Sequence, residues 1–163
     1  MAAATRDGIC FLSFVGTVTI ESELKKLSQI FNSPVRSGGN KHLRRLKRQL
    51  KEYFKGTRKE FTISLLTPGT EFQKSAWEVL KKIPYGTTIS YHEQARLINN
   101  EGAVRAVANA NASNPVAIII PCHRVIGSDG SLIGYGGGLN KKRWLIDHER
   151  KYSGKLVEGR LFY

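Results

Sequence analysis

The residues best suited to chemistry stand together in the string Pro121-Cys122-His123-Arg124-Val125. A thiol with an imidazole beside it and a guanidinium beyond is an arrangement suited to nucleophilic chemistry. Most free cysteines are inert, buried small hydrophobes, and a Cys-His pair alone would be read that way. Its context argues otherwise. The apolar run Val116-Ala117-Ile118-Ile119-Ile120 reads as a buried strand, and Pro121 ends it. Cys122 is therefore expected to emerge at the carboxyl end of a sheet, where α/β folds place their ligands.

The chain around this string has 163 residues, 40% apolar and 9% aromatic, enough to bury a core without disulfides. It shows no signal-peptide pattern, and no stretch nears the roughly 18 apolar residues of a membrane span. The two cysteines, Cys10 and Cys122, lie far apart, and the four histidines are not grouped at ligand spacing. No metal site is expected, and a reducing, cytoplasmic compartment is. Cys10, within Ile9-Cys10-Phe11-Leu12, reads as core. The formal charge of +13 suits a polyanionic partner such as nucleic acid.

Punctuation by Gly, Pro and polar clusters then divides the chain. Residues 8–20 read as one or two strands, 21–31 as a short helix, and 61–65 as another strand. Between them Leu43, Leu46, Leu50, Tyr53 and Phe54 recur at helical spacing, with basic residues elsewhere. This predicts an amphipathic helix packed on a core, its basic side solvated rather than a DNA footprint. Thr67-Pro68-Gly69 is the expected boundary between a first part, residues 1–66, and a second, residues 67–163.

In the second part Thr70-Glu71-Phe72-Gln73 has capping-box spacing, and Pro84-Tyr85-Gly86 stops the helix that follows. Ser90-Tyr91-His92-Glu93 opens a second, short helix. Asn99-Asn100-Glu101-Gly102 makes a turn, and residues 103–112 form a helix of small side chains. Two short helices joined by a Gly-containing turn match the helix-turn-helix plan, in which the second helix lies against DNA. Arg105, the one charged residue in that helix, is then a probe for the duplex.

The string 118–126, Ile-Ile-Ile-Pro-Cys-His-Arg-Val-Ile, resembles the signature of the O6-alkylguanine-DNA alkyltransferases, the methylated-DNA–protein-cysteine methyltransferases. The similarity continues in order through Phe72-Gln73, Trp77, Ile83-Pro84-Tyr85-Gly86, Ser90-Tyr91, Arg105-Ala106-Val107, Asn114-Pro115, Gly134-Tyr135, Gly137-Gly138-Leu139 and 142–149. Before residue 68 it rests on a general pattern. The resemblance implies a two-part α/β (α+β) chain: a small ribonuclease H-like α/β domain, then a mostly helical domain with a winged helix-turn-helix.

It also implies DNA repair without a cofactor: irreversible, single-turnover transfer of an alkyl group from O6-alkylguanine, and from O4-methylthymine, in double-stranded DNA. By the family's pattern Cys122 accepts the group, His123 takes its proton through a water, Glu149 orients His123, and Asn114 is a hinge tying the site together. Tyr91, with Ser90 and Ala106 beside the DNA, would rotate the nucleotide, and Arg105 would fill the gap in the stack. Tyr91, Val125, Tyr135, Gly136 and Gly137 would wall the base pocket. The expected protein is a monomer, nucleoid-associated in the cytoplasm, or nuclear in a eukaryote.

The chemistry is consistent with these types. A thiol of ordinary pKa, about 8.5, is only a few per cent thiolate at neutral pH, so the site needs a base. O6 of a paired guanine is inside the duplex, so the nucleotide must be extruded. In three places the chain departs from the pattern: Gly136 replaces a common Ser, Ala108 a common Gly, and the amino terminus lacks the usual opening hairpin sequence. A non-repairing alkyltransferase-like protein, which has no reactive Cys, and a Cys hydrolase, which would need no Arg105, are the competing readings.

Overall fold

Strand β2 (Ile9–Leu12) is the seam to which distant parts of the chain are tied. Its four residues, Ile-Cys-Phe-Leu, are all buried, as expected for a strand enclosed on both faces. On one edge it pairs antiparallel with β1 (Ala2–Ala4), with a register shift between Ala3 and Ala4. Single bridges to Leu65 and Val116 add segments that are not themselves strands. The Leu12 amide donates to the Pro115 carbonyl at 2.8 Å and the Ala117 amide to the Leu12 carbonyl at 2.9 Å, so the amino-terminal part grips the segment leading to Cys122. Gly8 permits the approach to residue 64, since a Cβ there would lie 2.6 Å from the Ser64 carbonyl oxygen.

The structure, a computed structural model, describes residues 1–16 and 20–154. Helix α1 spans Ile20–Ile30 and α2 spans Lys41–Phe54, the latter capped by Asn40, whose side chain accepts from the Leu43 amide at 2.9 Å. Helix α2 buries Leu46, Gln49 and Tyr53, while Phe54 is exposed. In the second part α3 (Glu71–Lys82) begins with the expected capping box, Thr70 and Gln73 bonding reciprocally. The short strand β3 (Ile89–Ser90) runs directly into α4 (Tyr91–Leu97) and pairs in parallel with β4 (Val125–Ile126), the strand after the site. A single 3₁₀ turn leads into α5 (Val104–Ala112), and α6 (Leu139–Tyr152) closes the described chain.

The α4–α5 pair is the helix-turn-helix, and its inner face is locked by an amide pair. Asn111 Nδ2 donates to Gln94 Oε1 at 2.7 Å and Gln94 Nε2 to Asn111 Oδ1 at 3.1 Å, both side chains buried. Trp77 Nε1 donates to the Ala110 carbonyl at 2.8 Å, fixing α5 on α3. One core then runs from Ile9 and Leu12 through Leu46, Trp77, Leu80, Tyr91 and Val107 to Ile120 and Cys122. Each fully buried aliphatic side chain there contributes about 1.5–3 kcal/mol.

Four expectations need correction. The 116–120 run is not a strand: after the Val116 bridge it coils on itself, with Ile119 donating to Ala117 and Ile120 to Val116. Ile118 takes a φ of 70°, costly for a β-branched residue and held by burial against Tyr53 and Leu145. An apolar run reports burial, and here burial is achieved by a turn. Residues 61–64 likewise form no strand, because the Thr62 amide bonds the Gln49 side chain instead of a ladder. Of the 8–20 stretch only Ile9–Leu12 is a strand, and 17–19 lie outside the described residues. The amino terminus does open with a hairpin, its Ala-Ala-Ala strand carrying no β-former to announce it.

Candidate active site

Cys122, His123 and Arg124 form one 3₁₀ turn, entered from Pro121 and left into β4, and all three are buried. The turn fans the side chains in different directions. The Cys122 sulfur accepts from Asn114 Nδ2 at 3.2 Å. The same Nδ2 donates to the Ile120 carbonyl at 2.7 Å, and Asn114 Oδ1 accepts from the Val116 amide at 3.0 Å. Asn114 thus staples both ends of the coiled 116–120 segment and points an N–H at the thiol. Burial pushes the Cys122 thiol pKa up, while the Asn114 hydrogen bond and the nearby Lys142 charge favour the thiolate.

His123 and Arg124 turn instead to Glu149 on α6. Glu149 Oε1 accepts from Tyr53 Oη at 2.8 Å, His123 Nε2 at 2.9 Å and Arg124 Nη2 at 2.9 Å. Its Oε2 accepts from Arg124 Nε at 2.8 Å and the Gly86 amide at 3.1 Å. Against a burial cost that would raise it, the hydrogen bonds and charges of His123 and Arg124 hold the Glu149 carboxyl down at about 2. Arg124 is itself anchored by Nη1 to the Ile83 carbonyl at 2.6 Å. Because Nε2 donates to Glu149, the other ring nitrogen of His123 carries the lone pair, and Nδ1 has no protein hydrogen-bond partner among the described residues. Burial keeps the His123 pKa below its ordinary value despite Glu149, so the ring is neutral and able to accept a proton.

The loop 133–138 packs through Tyr135 on the core cluster that contains Cys122. Tyr91 Oη sits 3.2 Å from the carbonyl oxygens of both Ile133 and Gly134, and burial raises its pKa to about 12, keeping it a donor. The fully buried Lys142 bonds the same two carbonyls and lies 5.6 Å from the centre of the Tyr91 ring. Burial lowers the Lys142 pKa to about 8, opposed by the interaction with Cys122. Tyr135 Oη is buried without a hydrogen-bond partner among the described residues, and its ring meets Phe14 edge-on with centroids 6.3 Å apart. Gly137 is required, since a Cβ there would lie 2.7 Å from the Tyr135 ring and 2.9 Å from Phe14. Gly136 is different: a Cβ would meet nothing within 4 Å, so its departure from Ser is not imposed by space.

The structure therefore brings Cys122, His123, Asn114 and Glu149 together, with Tyr91 and Val125 in the same core cluster as Cys122 and Tyr135 packed against it. Ser90 stands slightly apart as the cap of α4, accepting from the Glu93 amide at 3.0 Å. Arg105 and Ala106 are exposed on α5, Arg105 on the opposite side from buried Val107, Ala110 and Asn111. Sequence reasoning gave no role to Arg124, Lys142, Tyr53 or the Gly86 amide. A signal existed for Tyr53 and Lys142: a buried hydroxyl or ammonium must find a partner, and both stand on helix positions that otherwise face inward.

Comparison with known proteins identifies the family. Two family descriptions match the chain: "6-O-methylguanine DNA methyltransferase, ribonuclease-like domain" over residues 2–67 and "6-O-methylguanine DNA methyltransferase, DNA binding domain" over 71–151. A methylated-DNA–protein-cysteine methyltransferase of Mycolicibacterium paratuberculosis is 44% identical over 148 residues, 89% of this chain and 89% of that protein. One from Methanosarcina acetivorans is 43% identical over 149 residues, 91% and 90% of the two chains. The crystal structure of Mycobacterium tuberculosis OGT in complex with DNA superposes with a TM-score of 0.78 at 39% identity, covering 93% of this chain and 86% of that one. With a ribonuclease-like domain followed by a DNA-binding domain, the chain belongs to the methylated-DNA–protein-cysteine methyltransferase family.

Proposed function

We propose that this protein repairs DNA by moving the alkyl group of O6-alkylguanine, and of O4-methylthymine, onto its own Cys122. The observation that carries the assignment of roles is the paired geometry of the turn: Asn114 Nδ2 3.2 Å from the Cys122 sulfur, and His123 Nε2 2.9 Å from Glu149. Titrating the protein with a duplex containing O6-methylguanine tests it. Lesion loss should stop at one equivalent per protein molecule, and continued turnover would refute the proposal.

The thiol proton passes to His123 Nδ1 through a water relay, and Glu149 stabilises the imidazolium that results. The thiolate, favoured by the Asn114 N–H and the Lys142 ammonium, attacks the alkyl carbon. The S–C bond forms as the C–O6 bond breaks, and the bonding pair leaves with guanine, which takes up the proton the thiol gave. Cysteine becomes a thioether and guanine is restored. Nothing in the cluster can hydrolyse a thioether, so the protein is consumed.

DNA positions the substrate from the α4–α5 side. Arg105 fills the stack when the nucleotide turns out, Ala106 and Ser90 border the backbone, and Tyr91, Val125, Tyr135, Gly136 and Gly137 enclose the base. Extrusion costs about a few kcal/mol, offset by phosphate contacts. The working division is residues 1–66 and 67–163, supported by the irregular segment 67–69 between the Leu65 bridge and the Thr70 cap. All the proposed catalytic residues come from one chain, which suits a monomer. A free nucleophilic thiol suits the reducing cytoplasm, at the nucleoid, or the nucleus of a eukaryote. No helix among the described residues is long and apolar enough to cross a membrane.

A further inference from the structure

The helix pair that should meet DNA has little charge with which to hold it. Between residues 91 and 112 stand Arg96 and Arg105 against Glu93 and Glu101. DNA affinity depends chiefly on neutralised phosphates, so the cations that supply it must be elsewhere. Nine basic residues face the single acidic Glu52 between 41 and 59, most of them on α2. Lys41, Arg44, Arg45, Lys47, Arg48, Lys51 and Lys55 are all exposed. Arg48 and Arg58 share Glu52, and Arg45 donates to Thr62. Lys41, Arg44, Lys47, Lys51 and Lys55 have no acidic partner among the described residues.

This arrangement works against the helix that carries it. The first turn of α2 has no acidic residue, and its cations oppose the helix dipole. Arg44 and Arg48, Lys47 and Lys51, and Lys51 and Lys55 are like charges four residues apart, a spacing at which they repel. Stability of the fold does not explain them. Resting on the DNA-repair reading above, we propose that the exposed face of α2 is a second DNA-binding surface, which grips the sugar-phosphate backbone without reading sequence. The 14-residue helix is about 21 Å long, the rise of about six base pairs, with cations about 5–6 Å apart along it. An anionic membrane is the poorer fit. Interfacial helices insert a free apolar face, whereas the apolar side of α2 is already committed, with Leu46 and Tyr53 buried in the core.

The test is the variant K41Q/R44Q/K47Q/K51Q, with binding to a lesion-free duplex measured over a salt series. The slope of log K against log salt should become shallower by about 0.9 for each phosphate left without its cation, up to about 3.6. Affinity at low salt should fall at least about tenfold, even if only one phosphate is left unneutralised. The thermal midpoint should hold or rise as repulsion is relieved, and reaction with free O6-benzylguanine should be unchanged. An unchanged slope with wild-type repair of duplex DNA would overturn the second DNA-binding surface alone. Tighter binding of the wild type to phosphatidylserine vesicles than to duplex, abolished in the variant, would overturn it in favour of a membrane. Failure of the wild type to bind or repair duplex DNA would remove the DNA-repair reading itself.

Discussion

The molecule contains two buried thiols, and they differ in everything except burial. Cys10 is 3% exposed and Cys122 9%, and burial raises the pKa of both. Around Cys10 stand Phe11, Leu27, Met1, Ala3 and Phe31, an apolar cluster. Around Cys122 stand an amide N–H, a buried ammonium and, on the same turn, an imidazole backed by a five-fold hydrogen-bonded carboxylate. Burial alone makes a thiol inert; burial beside prepaired polar groups makes one that can be switched on. The second arrangement is also the more fragile, because each member depends on another remaining charged.

The contrast is broken most completely by exchanging the sulfur. Cys122→Ser should abolish alkyl transfer while keeping duplex binding, and Cys10→Ser should leave transfer at one equivalent, both read by lesion loss and DNA mobility shift. Glu149→Gln comes next. It should slow transfer by up to about 100- to 10 000-fold, the range a general base contributes, because His123 loses the carboxylate that orients it as base. It also leaves Arg124 buried without its counter-ion, a loss of about 3–5 kcal/mol that denaturant melts would register.

The pH dependence of stability follows from the same carboxylate. With a folded pKa of about 2 against an ordinary 4.5, Glu149 contributes stability that is complete above about pH 4.5 and fades as pH falls toward 2, roughly 3 kcal/mol in all. His123, with its pKa lowered, adds to acid instability, since the unfolded chain takes up that proton first. The acid limb of the wild-type melt should therefore be steeper than that of Glu149→Gln.

Lys142→Met gives a smaller, more diagnostic change. With the Lys142 pKa at about 8, the wild-type single-turnover rate should bend as that proton is lost. The variant should lack the bend, run slower at neutral pH, and reach its maximum at higher pH, because the thiol pKa rises once the Lys142 charge that lowers it is gone. The smallest effect sharpens the other side: Cys10→Ala should cost about 1 kcal/mol in stability and leave the rate profile untouched.

Much of the site was legible in the sequence because the signals are local. Cys122 and His123 are neighbours, and the Thr70 and Ser90 caps announce their helices by spacing alone. Glu149 and Asn114 were reachable only through the family resemblance, since nothing in spacing tells an α6 carboxylate that it will meet a turn 26 residues earlier. The Tyr53–Glu149 contact spans 96 residues and was invisible for the same reason. Helix α6 was not anticipated, and the strand expected at 116–120 proved a coil. Apolar content reports that a segment is buried, whereas the Asn114 staple and the Ile118 backbone decide its shape. The bridges at Leu65 and Val116 likewise depend on single residues and leave no periodic trace.

The most direct measurement is peptide mass mapping after the protein has been exposed to a duplex carrying one O6-methylguanine. The peptide containing Cys122 should gain one methyl in place of one hydrogen, stoichiometrically with lesion loss, while the Cys10 peptide keeps its mass. A repaired duplex with Cys122 unmodified, or with the methyl on Cys10, would contradict the assignment of the nucleophile.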